Sequence, residues 1–451
     1  MGQLDASIVT LALPSIRSDL HASLGSVEWV SLSYLLVLVG SVSAMGRLAD
    51  VLGRKLLYIY GFALFTLASV GCGLAPSLSV LLALRVLQAV GAALLQANSV
   101  ALIRTTVAAH QLNRAIGLQG AAQALGLALG PAAGGSLIAV AGWRWVFWVN
   151  LPAGLIGIVL GVLLLPRTRI RAARTRFDWP GLALLLPSVA ILLLGLSILD
   201  RQVGYGLDLL ALAVAGLIGF GFVERGRPAP LVALSLFSRD TPFSVAISSG
   251  MLGYLVLFGA LFVCPLLLAP GLTGAAGSAG LLITILPLSL ALSAPLAGRI
   301  TERFAPAVAT VGGLSLAASG FLIAAIGGDQ RAGLIAMLVL AGAGLGLFIP
   351  VNNAAVARAG RPDQAGAVSG LLNMSRGIGT ALGVAVAGTT FTLGGAGTSG
   401  FRWTMALFAA LAVTAALLNG GRRLCVGPIE RCSPARLGDT AEGLAANRLT
   451  D

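Results

Sequence analysis

Charged and metal-binding side chains are scarce in this sequence of 451 residues. Only 10% of the residues are charged and 57% are hydrophobic, which excludes an ordinary water-soluble globule. Two histidines and four cysteines are too few for us to expect a metal centre or a disulfide framework. The sequence lacks a G-x-x-x-x-G-K-[ST] loop, so we do not expect ATP to be the energy source. It shows no nucleophile paired with a base, so we expect neither an enzyme nor a bound cofactor. The composition indicates instead a polytopic membrane protein.

The net charge of +13 comes from basic residues that lie singly or in short groups between apolar runs. Such scattering does not favour a nucleic-acid partner, and under the positive-inside rule it marks the cytoplasmic loops. Starting from the cytoplasm, fourteen spans place most Lys and Arg on that side and leave both termini there. The runs lie at about 1–16, 26–46, 55–75, 79–102, 112–138, 143–165, 179–199, 206–223, 243–268, 276–297, 306–327, 332–356, 364–391 and 401–419.

The fourteen runs predict an all-α protein with two six-helix bundles and two inserted central helices. We expect residues 1–165 to form the first bundle, 166–240 a linker with the two extra transmembrane helices, and 241–419 the second bundle. Residues 420–451, which lack apolar periodicity, are expected to be a disordered cytoplasmic tail. Residues 298–302 repeat the pattern of residues 46–50 with Glu in place of Asp, and internal repeats of this kind are typical of transporters that bind substrate between two halves.

The segment from Gly46 to Lys55 is interpreted as a short charged loop between two spans, and its three basic residues assign it to the cytoplasm. Gly46 would permit close helix approach and Gly53 a turn. Asp50 lies where its carboxylate can face the positive N-terminal end of a neighbouring helix. The spacing of Gly46, Asp50, Gly53 and the basic pair that begins at Arg54 resembles the loop between spans two and three of the major facilitator superfamily.

Span one contains a carboxylate, Asp5, in the segment L-D-A-S followed by A-L-P. This is similar to the L-D-x-T-x-x-x-x-A-L-P signature of the fourteen-span drug:proton antiporter family, with Ser7 in place of the usual Thr. A carboxylate inside a span is a functional candidate, although Asp5 could also be a residue near the cytosolic end of its helix. At the helical rise, Asp5 lies about 18 Å inward from Arg17. The residues before Asp5 are too few to cross the rest of the hydrocarbon core, so we expect an upstream extension of about ten residues to complete the span.

Span four carries Arg85 in a segment similar to the family's R-x-x-Q-G-x-G, with Ala89 replacing the first Gly. An intramembrane Arg keeps its charge and could tune the protonation of an acid. It could instead bond backbone carbonyls and hold the bundle together. Both roles remain open at this point.

Span five matches the G-x-x-x-G-P-x-x-G-G segment typical of antiporters in the superfamily rather than of its symporters. Stacked glycines give close packing and a proline can bend the helix, so these residues are conformational candidates and not substrate ligands. They are Gly126, Gly130, Pro131, Gly134 and Gly135. Residues 143–152 are similar to the family's W-R-W-x-F-x-x-N-x-P segment, and we expect its aromatic side chains at the outer interface.

These resemblances imply a proton-driven exporter of drugs or of hydrophobic or weakly cationic metabolites in the cell membrane. In that hypothesis Asp5 exchanges a proton for substrate, Arg85 biases its protonation, and Asp50 with Arg54 belongs to a cytoplasmic gate. The implied partners are a small molecule, protons and the lipid bilayer, with the chain acting as a monomer. The substrate-binding residues are not assigned. An uptake symporter and a non-transporting sensor or scaffold are the alternatives.

Overall fold

The computed structural model describes residues 1–22, 24–166, 178–198, 202–225, 241–268, 276–327, 330–358, 365–395 and 397–420. All regular secondary structure in these ranges is helical, which agrees with the predicted all-α class. The predicted tail lies outside the described residues, as do parts of the predicted linker.

Fifteen α-helices are described, and fourteen of them have 15 or more residues. Most of their ends lie within a few residues of the predicted runs, because long apolar segments determine where helices can cross a membrane. The helices that end at Leu52 and Arg303 each continue six residues beyond the predicted runs, and the predicted run 143–165 is divided between two helices. The helices are α1 (Gly2–Asp19), α2 (Leu24–Leu52), α3 (Arg54–Leu74), α4 (Leu78–Thr106), α5 (Leu112–Ala141), α6 (Trp145–Trp148), α7 (Asn150–Leu164), α8 (Trp179–Ile198), α9 (Val203–Arg225), α10 (Thr241–Leu268), α11 (Ala276–Arg303), α12 (Pro306–Gly327), α13 (Arg331–Arg358), α14 (Ala365–Leu393) and α15 (Gly397–Gly420).

Eleven segments among the described residues are long and apolar enough to cross a membrane by length and composition alone. Helices α1, α5 and α14 are not among the eleven. Each of the three contains polar side chains that face the interior, such as Asp5, Gln123 and Arg376.

The helices pack in two sets. Helices α1 to α7 contact one another and form the first set, and α10 to α15 form the second. The main contacts between the sets are α2 with α14 and α5 with α11, supported by α4 with α14 and α5 with α13. Helices α8 and α9 pair with each other, and α8 also packs on α2 and α14.

The predicted charged loop from Gly46 to Lys55 is wrong as a description of the backbone. Helix α2 continues to Leu52 and α3 begins at Arg54. Only Gly53 separates them, with a φ of 116° that favours glycine and makes the predicted turn. Charged residues are compatible with an α-helix, so the fall in hydropathy marks the membrane boundary and not the end of the helix.

The expectation that the aromatic residues after α5 lie at the outer interface holds only in part. Trp145 is half exposed. Trp143 and Phe147 are buried in a cluster with residues of α1, and the indole Nε1 of Trp143 donates to Asp19 Oδ2 at 3.1 Å. These two side chains attach the short helix α6 to α1 and do not face the interface.

Candidate functional site

Asp5 is fully buried on α1 and its carboxylate accepts hydrogen bonds from two other helices. Oδ2 accepts from Arg85 Nη1 of α4 at 2.7 Å. Oδ1 accepts from Gln88 Nε2 of α4 at 3.0 Å and from Asn150 Nδ2 of α7 at 2.9 Å. A buried carboxylate with a cationic partner and two amide donors can remain ionised in the interior.

Arg85 contacts both an acidic side chain and a backbone carbonyl, the two kinds of partner that the sequence left open. In addition to its ion pair with Asp5, its Nε donates to the Val30 backbone oxygen at 2.9 Å and its Nη1 to Gln88 Oε1 at 2.7 Å. The guanidinium carbon lies 4.2 Å from the centroid of the Tyr34 ring. Arg85 therefore neutralises Asp5 and also joins α4 to α2.

Three of the polar residues around Asp5 were given no role by the sequence analysis. Gln88 Nε2 donates to Ser69 Oγ at 2.7 Å as well as to Asp5, and the bond to Ser69 holds the amide in its orientation toward Asp5. Asn150 approaches from α7, and its Oδ1 has no hydrogen-bond partner within the described part of the chain. The signal for Gln88 was available, since it lies one helical turn after Arg85 and on the same face. Ser69 and Asn150 could be found only once the helices were packed.

The glycines of α5 determine how closely α1 approaches. A Cβ added at Gly130 would overlap the Ser7 side chain, and one at Gly134 would lie 2.6 Å from Ile8 Cγ1. Gly126 faces the backbone of α1 at Leu4 with room for a methyl group. Glycines at these points let the two backbones pack closely and place Asp5 against α4. The other two candidates, at positions 131 and 135, belong to the same helix.

Asp50 caps the N-terminus of α14, as its predicted geometry requires. Its Oδ1 accepts from Gly366 N at 2.8 Å and its Oδ2 from Ala367 N at 2.9 Å. Arg54 Nη2 donates to the same Oδ1 at 2.8 Å, one turn along the chain. The carboxylate thus satisfies free backbone N–H groups at the positive end of a helix in the other set.

Helices α2 and α14 lie very close to each other beside this contact. A Cβ at Gly46 would overlap the Gly366 carbonyl, and a Cβ at Gly366 would overlap the Gly46 carbonyl. One turn further, a Cβ at Gly370 would lie 2.7 Å from the Ser43 Cα. Gly46 therefore has the packing role that its motif position predicts.

The repeated segment in the second set makes a different contact. A Cβ at Gly298 of α11 would lie 2.8 Å from the Arg114 Cα of α5. The Asn113 side chain donates through Nδ2 to Thr301 Oγ1 and accepts at Oδ1 from Arg358 Nη2, both at 2.8 Å. Glu302, which corresponds to Asp50, is exposed. The two interfaces therefore share a glycine contact, but only the first has a carboxylate cap.

A cavity of about 510 Å³ lies between the two sets and is lined mainly by apolar side chains of α1, α2, α8, α10 and α14. Its volume is in the range of small-molecule sites. Its polar lining residues include Gln3, Tyr34, Gln96, Asn373 and Arg376. Tyr34 lines the cavity and its ring also packs against Arg85, so this side chain connects the Asp5 pair with the cavity wall.

The cavity is closed at one end. We call this the basic end, defined by Gly53, Arg104 and Arg358. The Asp50 cap and the Asn113 contacts all lie there, and Arg104 Nη2 reaches the Arg358 backbone oxygen at 3.4 Å. No group of three or more His, Cys, Asp or Glu suited to a metal occurs among the described residues.

Comparison with known proteins agrees with this architecture. The sequence model of the Major Facilitator Superfamily matches residues 1–269 and 243–423. The uncharacterized transporter YebQ of Escherichia coli (strain K12) is 32% identical over 428 residues, which cover 94% of this chain and 93% of YebQ. The tetracenomycin C resistance and export protein of Streptomyces glaucescens is 33% identical over 396 residues, which cover 86% of this chain and 73% of that protein.

Among solved structures, the human organic anion transporter MFSD10 (TETRAN) superposes with a TM-score of 0.66 at 18% identity. The match covers 92% of this chain and 97% of that one, and at this identity it shows the fold alone. The family match spans nearly the whole sequence, and the relatives identified by sequence are transporters. The chain is therefore a multi-pass membrane transporter of the Major Facilitator Superfamily and not an enzyme.

Proposed function

We propose that this transporter exports hydrophobic small molecules in exchange for protons by alternating access. The observation that carries the proposal is Asp5, a fully buried carboxylate held by Arg85 beside a cavity closed at the basic end. Few other groups could exchange a proton inside the membrane. The name of the tetracenomycin C resistance and export protein, a relative at 33% identity, favours export.

The proposal includes a full topology. Fourteen spans form two six-helix bundles, residues 1–165 and 241–419, with two further spans within 166–240. Both termini are cytoplasmic, and the protein acts as a monomer in the cell membrane. The two sets of helix contacts and the basic residues at one end support this arrangement.

The proton step follows from the contacts of Asp5. When the carboxylate is ionised, its charge is balanced by Arg85 and its oxygens accept all three bonds. A proton arriving from the outer side converts one oxygen to a donor and removes the charge that holds Arg85. Substrate arriving from the cytoplasm is exchanged for that proton, which leaves when the cavity faces inward. Displacement of the Tyr34 ring would admit water to the pair.

The cap at Asp50 supplies the gate in this proposal. The α2–α14 contact joins the two helix sets at the basic end, which the proposed topology places on the cytoplasmic side, and in this proposal the structure represents the outward-facing state. Opening to the cytoplasm requires the Asp50 carboxylate to leave the N-terminus of α14. Arg54, one turn along the same chain segment, then remains beside the carboxylate and continues to balance its charge.

An uptake symporter is the second candidate within transporters. The glycine contacts between α5 and α1 support export, because the matching segment is typical of antiporters in this family.

A resistance screen tests the proposal. Cells expressing the protein are grown with diverse toxic compounds, with and without a proton uncoupler. We expect resistance to some compounds and its loss with the uncoupler. Increased sensitivity, or resistance that the uncoupler does not affect, would contradict the proposal.

A further inference from the structure

A second buried arginine lies in the cavity wall and takes no part in the Asp5 site. Arg376 on α14 is 7% exposed and lines both the main cavity and a smaller adjoining one of about 40 Å³. Its guanidinium carbon lies 4.5 Å from the centroid of the Tyr254 ring on α10. Its position places a fixed positive charge where a transported molecule would be enclosed.

Arg376 differs from Arg85 in its partners. Its Nη2 donates to Gln123 Oε1 at 2.7 Å and its Nη1 to Asn373 Oδ1 at 3.1 Å. Within the described ranges no Asp or Glu forms an ion pair with it. Amide oxygens carry no net charge and a guanidinium does not lose its proton. The charge of Arg85 is therefore balanced by Asp5, whereas the charge of Arg376 is not balanced.

The two amides hold the guanidinium in place without neutralising it. Asn373 Nδ2 donates to the backbone oxygens of Gln96 and Ser369 at 3.0 and 2.8 Å, which turns its Oδ1 toward Arg376. Gln123 approaches from α5 in the other helix set. A guanidinium has five N–H donors; two of them bond Gln123 and Asn373, and the Tyr254 side chain accepts a further hydrogen bond from Arg376. The remaining donors are available to a ligand in the cavity.

We infer that the transported compound carries a negative charge on an apolar scaffold, as an organic carboxylate or sulfonate does, and that Arg376 binds that charge. This rests on the proposed export function and narrows its substrate class, replacing the weakly cationic compound expected from the sequence. An anion would form charge-assisted, bidentate bonds with a preorganised guanidinium. A cation would be repelled by Arg376 in a cavity of low dielectric. The apolar cavity walls would suit the apolar scaffold of an anion or of a cation equally well.

Three N-substituted 1-naphthylamines of different charge test the inference. They are 8-anilinonaphthalene-1-sulfonate, which is anionic, N-phenyl-1-naphthylamine, which is neutral, and N-(1-naphthyl)ethylenediamine, which is cationic. Binding of each to the purified full chain in lipid nanodiscs is measured by equilibrium dialysis against empty nanodiscs. We expect the sulfonate to bind at least about tenfold more tightly than the neutral dye, as a charge-assisted pair allows, and the cation to bind most weakly.

Variants assign the preference to Arg376. Arg376→Gln should weaken sulfonate binding about tenfold and leave the neutral dye unchanged, whereas Arg376→Lys should retain a preference for the anion. Gln123→Glu keeps Arg376 but supplies a carboxylate next to it, so it should also abolish the preference; this variant serves if Arg376→Gln fails to fold. Arg17→Gln, the same change at an exposed site on α1, is the matched control.

Equal binding of the three dyes, preference for the cation, or no binding of any would overturn the inference. Wild-type sulfonate affinity in both Arg376→Gln and Gln123→Glu would do the same. These outcomes are separable from failure of the export proposal. If cells show uncoupler-sensitive resistance to cationic compounds while the purified protein prefers the cationic dye, export stands and the anion inference falls. If no uncoupler-sensitive resistance is found, export itself fails whatever the dyes show.

Discussion

The Asp50 carboxylate lies 2.8 Å from the backbone nitrogen of Gly366, a residue 316 positions later in the chain. This bond joins the C-terminal end of α2 to the first turn of α14, and the overlap of a Cβ at either Gly46 or Gly366 shows how close the two backbones are. Glu302 occupies the repeated position in the second set and is exposed. Only the first of the two related interfaces therefore contains a carboxylate that caps a helix of the other set.

Asp50→Asn should impair transport while leaving the protein inserted. An amide retains part of the hydrogen bonding but loses the charge that faces the helix N-terminus and Arg54. For a partly buried charge at a helix end that loss is about 2 kcal/mol, enough to shift the conformational equilibrium more than tenfold. Efflux assays with expression measured in the same cells check this. Glu302→Gln is the matched control and should transport normally. Wild-type efflux from Asp50→Asn would refute the gate.

Gly130→Ala should reduce transport by moving α1 away from α5. The added methyl group overlaps the Ser7 side chain, and overpacking of this kind costs about 1–3 kcal/mol. Because Asp5 is two residues from Ser7, its contact with Arg85 should be disturbed as well. Gly120→Ala in the same helix is the control, since the nearest atom to its added Cβ would be 3.8 Å away.

A double substitution separates this packing effect from a general loss of stability. Ser7→Gly removes the overlapping side chain, so the pair Ser7→Gly and Gly130→Ala should recover transport relative to Gly130→Ala alone. Thermal unfolding of the purified variants and efflux rates provide the two readouts of a double-mutant cycle. Purely additive effects in both readouts would show that the contact between residues 7 and 130 does not position α1.

The topology is tested with a membrane-impermeant maleimide in intact cells. Pro76→Cys, at the exposed turn between α3 and α4, should be labelled because that turn is predicted to lie outside. A tag placed after Asp451 should be inaccessible until the cells are permeabilised. The buried native cysteines, Cys72 and Cys264, provide an internal background. Accessibility of the terminal tag in intact cells would contradict a cytoplasmic C-terminus and therefore the proposed topology.

The sequence was sufficient for most helix positions, for the placement of Asp5 within a helix and for the geometry of Asp50. Long apolar runs determine the spans, and an acid inside such a run has few roles other than a functional one. The continuity of α2 through Asp50 was missed because hydropathy falls where the helix leaves the lipid and not where the helix ends. The cavity was also missed. Its walls come from six helices spread over most of the chain, so no local pattern could bring Tyr34, Gln96 and Arg376 together.

Arg376 illustrates what a sequence pattern leaves undecided. It was visible as a basic residue inside a predicted span, just as Arg85 was. Only the packed structure shows that Arg85 meets a carboxylate while Arg376 meets two amides. The difference depends on which helices lie opposite, and that is a property of the tertiary fold.

Proton exchange through Asp5 is the central claim, and it is measured directly with inverted membrane vesicles. The compound to which expression gives the strongest uncoupler-sensitive resistance is added, and proton release from the vesicle interior is followed with a pH-sensitive dye. Asp5→Glu should retain some exchange because it keeps a carboxyl group. Asp208→Asn, the same change as Asp5→Asn at an exposed acid of α9, should behave as wild type.

Asp5→Asn should release no protons on substrate addition, although substrate binding should persist in part, because the amide cannot take up a proton but leaves the cavity walls intact. Western blotting of the same vesicles confirms equal insertion. The account predicts loss of coupled proton release in Asp5→Asn alone among these variants, and proton release at the wild-type rate in Asp5→Asn would contradict it.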